Sequence, residues 1–125
     1  MATRFRFKTF KVYQDSKAFC KFCREVVARD IKAEDVDLAH QIRRALNSIV
    51  LNIAEGSADS SDVEFARFLG MSVRSVYETV AGFDLALLYE LIDPSLNDKI
   101  ERDAHDLVRQ LSGFRKSLRS LRVDS

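Results

Sequence analysis

Proline occurs once and glycine four times in 125 residues, so little in the chain forbids regular structure. No run is long and apolar enough to span a bilayer. The greasiest, Val80–Ile92, is too short and is broken by Asp84 and Glu90. The N-terminus is basic and aromatic without an apolar core, so no secretory leader is expected. Two cysteines are too few for a disulfide framework, which makes a reducing cytoplasm the expected setting. Neither sign of charge prevails: twenty basic and nineteen acidic residues leave +1, which singles out no partner. Phosphate loops, HExxH and Glu-x-x-His motifs are all missing, and His40 and His105 fall on expected outer faces. No enzyme, cofactor, metal or small-molecule substrate is expected.

What is present suits one helical domain over 1–125, with 46% hydrophobic and 31% charged residues. Residues 1–11 form an arm in which Arg4, Arg6 and Lys8 alternate with Phe5 and Phe7. This is an extended pattern, read as a frayed tail unless Phe5, Phe7 and Phe10 dock. A first helix is expected over about 12–31, with Val12, Phe19, Phe22, Cys23 and Val26 on one face. Its Cys20-Lys21-Phe22-Cys23 matches C-x-x-C but sits mid-helix and lacks further zinc ligands, so both cysteines read as structural.

After the polar break at 32–37, capped by Asp35 or Asp37, a second helix is expected over about 36–56. Leu38, Ile42, Ala45, Leu46, Ile49 and Ile53 form its core stripe, with Gln41, Ser48 and Asn52 along one edge. Leu51 on its back suggests subunit contact, and Gly56 suits a left-handed cap. The box Ser61-Asp62-Val63-Glu64 opens a third helix over about 62–92. Its seam is Ala66, Leu69, Val73, Val76, Val80, Phe83, Leu87 and Leu91, which places Asp84 inside the stripe. A buried carboxylate there needs Arg43 or Arg44 as partner. Gly82, on the opposite face, suggests close approach by another backbone, with another subunit as a candidate. Asp93-Pro94 ends the helix and Ser95–Asp98 caps a fourth, expected over about 95–121. These pieces make an all-α, antiparallel up-down-up-down four-helix bundle.

Such a bundle brings both chain ends together. Arg4, Arg6, Lys8 and Lys11 have no acid among them, and Arg109, Arg115, Lys116, Arg119 and Arg122 face Asp124 alone. These nine are the candidate nucleic-acid contacts.

The run Gln41-Ile42-Arg43-Arg44-Ala45, Ser48-Ile49, Asn52-Ile53-Ala54-Glu55-Gly56 resembles a known signature, QxRRAxxSIPxNIAEG. It belongs to four-helix-bundle proteins encoded in intervening sequences of bacterial large-subunit ribosomal RNA genes. Phe10–Gln14, Glu64–Leu69 and Glu78 are similar to other parts of that family. Val50 stands in place of its proline, Asp30–Asp35 lacks its Phe-Pro, and Ser72–Ser75 lacks its plain small-residue pair. The resemblance implies a ring-like homopentamer without established activity. Relatives serve diversity-generating retroelements, where a basic pentamer binds a reverse transcriptase and nucleic acid. Two functions are therefore expected: an oligomeric module binding RNA, DNA or a ribonucleoprotein through its basic ends, or a homo-oligomeric scaffold for a protein such as a reverse transcriptase. Gln41, Arg43, Arg44, Ser48, Leu51, Asn52, Glu55, Gly56 and Asp84 are read as structural or interface residues.

Overall fold

The computed structural model describes the backbone over residues 3–58 and 61–124, and side chains as far as residue 118. Four helices account for most of it: α1 (Lys11–Val26), α2 (Val36–Ser57), α3 (Asp62–Leu88) and α4 (Pro94–Asp124). The described residues contain no strand and no helix apolar and long enough to cross a membrane. One core is shared by all four helices, centred on Val27, Ile42, Leu46, Ile49, Leu69, Phe83 and Leu111. Each large apolar side chain so buried contributes about 1.5–3 kcal/mol relative to exposure.

The first helix does not stop at Val26 but widens into a π turn over Val27–Ile31, closed by the Lys32 amide donating to the Val27 carbonyl at 2.9 Å. A wider turn lets the neighbours Val26 and Val27 share the core with Ile31, all at most 2% exposed. Asp35 caps α2, its carboxylate accepting from the Leu38 amide at 3.0 Å. The helix then runs uninterrupted through Val50 to Ser57.

Two expectations about glycine fail. Gly56 is helical and buried, and no described glycine has a positive φ. It is small because α3 crosses there: a Cβ at Gly56 would lie 2.7 Å from Phe68 Cβ and 2.9 Å from Phe65 Cδ1. Gly82 meets not another subunit but Ile42 of its own α2, whose Cγ1 would lie 2.6 Å from an added Cβ.

The third helix also faces inward differently from its most apolar stripe. Ser72, Ser75, Thr79, Gly82 and Ala86 are buried beside Val76 and Phe83, while Val73, Val80 and Leu87 are half-buried. Small residues let α2 and α3 approach closely, and the hydroxyls find acceptors: Ser72 on the Ile49 carbonyl at 2.8 Å, Thr79 on the Ser75 carbonyl at 2.9 Å. This rotation carries Asp84 out to solvent, and among the described residues no ion pair joins it to Arg43 or Arg44.

The same helix ends at Leu88, short of residue 92. Glu90 adopts φ 63°, the Leu91 amide donates to the Ala86 carbonyl at 2.9 Å, and the Glu90 amide to Leu87 at 3.0 Å. That pair of bonds is a Schellman stop with a glutamate where glycine is least strained. Glu90→Gly should therefore stabilise the protein by about 0.5–1 kcal/mol, seen as a higher urea midpoint. The cap of α4 is Asp93, not the Ser95–Asp98 run: its Oδ1 accepts from the Leu96 amide at 2.8 Å and from Ser95 Oγ at 2.8 Å. Those hydrogen bonds, the Leu96 amide first, hold its carboxyl below the usual range.

The arm is neither extended nor frayed over its described part. Residues Arg6–Thr9 form a 3-10 turn, and Phe10 packs its ring 6.1 Å from Phe65 and 5.3 Å from Phe114.

Candidate functional site

Contacts between α2 and α3 run in opposite order along the two helices: Ile42 with Gly82, Ser48 with Ser75, Ile49 with Ser72, Gly56 with Phe65. The motif residues lie along this seam. Asn52 Nδ2 donates to the Ser48 carbonyl and to Ser48 Oγ, both at 2.9 Å, and Ser75 Oγ donates to Ser48 Oγ at 2.8 Å. Ser48 thus joins α2 to α3, and Asn52 braces it from its own helix. Gln41, Arg44 and Glu55 are exposed and Arg43 is half-buried on the same helix.

The basic residues divide by what they touch. Arg6 is occupied: its Nε and Nη2 donate to the Ser57 carbonyl at 3.0 and 2.8 Å, and its guanidinium lies 5.4 Å from the Phe65 ring centre. The last turn of α2 carries no basic residue of its own, so Arg6 supplies the cation that a helix C-terminus favours. Lys11 pairs with Asp15 at 2.7 Å. With Gln110, which donates to Asp15 at 3.0 Å, Lys11 holds that carboxyl below its usual range. Arg115 lies flat on α3 at Gly70, where an added Cβ would sit 3.1 Å from its Cζ. Arg4, Lys8, Arg109 and Lys116 are exposed. The side chains of Arg119 and Arg122 lie outside the described residues. The Phe10–Phe114 contact sets the arm beside the turn of α4 that bears Arg115 and Lys116, and Lys11 and Arg109 border one α1/α4 groove.

Two further grooves carry exposed apolar residues. Between α1 and α2, Leu51 is 57% exposed, with Val50 and Cys20 beside it and Lys17, Lys21 and Arg24 around them. Between α3 and α4, Tyr77 is 65% exposed, with Val80 and Val108 beside it and Asp84, Asp98 and Glu101 around them, alongside Arg102 and His105. The first groove is mainly basic and the second mainly acidic. Of these residues the sequence reading had singled out only Leu51 and Asp84 for an interface; Tyr77 and the Lys17-Lys21-Arg24 row were missed. Their i,i+4 and i,i+3 spacing was the available signal.

Cys23 is buried and Cys20 half-buried, and desolvation pushes both thiols up, away from reactivity. The described residues hold no cluster of three metal-ligating side chains.

Among known proteins, the family described as 23S rRNA-intervening sequence protein matches residues 8–113. A solved structure from Bacteroides thetaiotaomicron, described as a protein of unknown function from the S23 ribosomal protein family, shares the fold. Its TM-score is 0.78 at 22% identity, covering 84% of this chain and 98% of that one. No curated protein matches.

Proposed function

This chain belongs to the 23S rRNA-intervening sequence protein family, and from that premise we propose a non-enzymatic, self-associating module that binds nucleic acid at its basic end. The bundle is antiparallel, up-down-up-down, as the opposed order of the α2–α3 contacts supports. Both chain ends then share one end of the molecule. The observation that carries the nucleic-acid reading is the exposure of Arg4 and Lys8 on the arm and of Arg109 and Lys116 on α4, two segments that the Phe10–Phe114 contact joins. Cations so placed neutralise phosphates without reading sequence.

Self-association rests on the two grooves. Each has an apolar strip with a charged border, the two borders differ in sign, and they lie on different helix pairs. A contact of one copy's α1/α2 groove with the next copy's α3/α4 groove is head-to-tail, the kind that makes a ring when the rotation between copies closes. A homopentamer is the closed form the family resemblance implies. Light scattering on a sizing column should then give five times the chain mass. Lys21→Glu should weaken assembly, and adding Glu101→Lys should restore it; a monomeric parent protein would end this reading. Retention of a 20-nucleotide single-stranded RNA should fall steeply between about 50 and 200 mM salt, and an absence of retention at low salt would remove the nucleic-acid role.

A second reading, a scaffold for a protein such as a reverse transcriptase, draws on Leu88 and Tyr89. They stand 71% and 52% exposed at the end of α3. Co-purification of a protein that survives nuclease treatment and high salt would favour it.

A further inference from the structure

Among the arm's attachments to the bundle, those of Arg6 to α2 are of an exchangeable kind. Arg6 places two donors on one neutral acceptor, the Ser57 carbonyl, whereas Lys11, Arg29, Arg67, Lys99 and Arg102 are each matched to a carboxylate. A phosphate oxygen adds a full negative charge, and paired oxygens that match the guanidinium fork, to what the carbonyl offers. Arg4 and Lys8, both exposed, flank it on the same arm. The arm seats Phe10 on Phe65 and Phe114, and the three ring centres stand 5.1–6.1 Å apart. Phe65 is only 2% exposed.

We propose that the arm is a strap released by phosphate: a phosphate or phosphodiester group takes Arg6 from the Ser57 carbonyl, and the strap then lifts from the aromatic cluster. This rests on the nucleic-acid reading of the basic end and adds its consequence. Binding would uncover Phe65 and Phe114 beside the bound strand, coupling anion capture to exposure of an apolar surface.

Hydrogen exchange by NMR reads the strap through the turn that its docking holds in shape, in which the Lys8 and Phe10 amides donate to the Phe5 and Phe7 carbonyls, both at 3.1 Å. The full chain is compared alone, with sodium tripolyphosphate, with a 20-nucleotide oligouridine, and with sodium chloride at matched ionic strength. Exchange at Lys8 and Phe10 should quicken at least tenfold with a phosphate probe, and core amides such as Leu46 should stay unchanged. Arg6→Gln should exchange rapidly at those sites from the start and ignore the anion. Acceleration by tripolyphosphate without RNA retention would support the strap while removing the nucleic-acid reading. Acceleration by RNA alone would support the strap and name the phosphodiester strand as its ligand. Retained RNA with unchanged exchange, no response to either phosphate probe, an equal response to chloride, or an undiminished response in Arg6→Gln would each overturn it.

Discussion

Phe83→Ala is expected to cost about 3–5 kcal/mol, roughly half the stability of an ordinary domain. Phe83 is fully buried at the meeting of the helices, so truncation forfeits the transfer energy of the ring and leaves a cavity. Its neighbour supplies the contrast. Asp84 is exposed, and Asp84→Ala should change stability by no more than about 0.5 kcal/mol. Urea unfolding of the two variants tests the orientation of α3. Comparable losses would mean that the helix is turned so as to bury the carboxylate.

The second large effect lies one residue earlier. In an open helix, Gly82→Ala would gain about 1 kcal/mol. Here the added methyl would meet Ile42 Cγ1 at 2.6 Å, an atom on a β-branched side chain with little rotamer freedom. Overpacking of this kind costs about 1–3 kcal/mol, enough to overcome the propensity gain. A net loss of up to about 2 kcal/mol is expected, lowering Tm by up to roughly 8 °C. Combining it with Ile42→Ala should destabilise less than the sum of the two single changes. Simple additivity would place the contact elsewhere.

These adjacent positions also show what the sequence could and could not disclose. Helix content followed from the scarcity of proline and glycine, and the Ser61 and Asp35 caps from their local chemistry. On α2 the apolar stripe and the buried stripe coincide. On α3 they do not, because Ser72 and Thr79 enter the interior by bonding to backbone carbonyls and Ser75 by bonding to the Ser48 hydroxyl. A helical wheel ranks such residues as outward. It chooses Val73, Val80 and Leu87, and Asp84 is drawn into the stripe with them. Gly56 failed for a related reason: a glycine near a helix end suggests a turn, and only the packing of Phe65 and Phe68 shows that it marks a crossing. Of the basic ends, the charge imbalance was legible and the employment of each cation was not. Arg6 caps a carbonyl fifty-one residues away in sequence, a distance over which no local pattern carries information.

The exposure of Tyr77 gives the molecule an optical handle. The chain has three tyrosines and no tryptophan, so its near-ultraviolet signal comes from few and well-placed phenols. Tyr13 packs edge-on against Phe7 at 4.8 Å in the arm, while Tyr77 stands in the acidic groove and Tyr89 at the end of α3. Strap opening and groove closure, as proposed above, would therefore disturb different chromophores. Tyr→Phe substitution of one at a time would let circular dichroism at the tyrosine band follow each event separately in a single unlabelled sample.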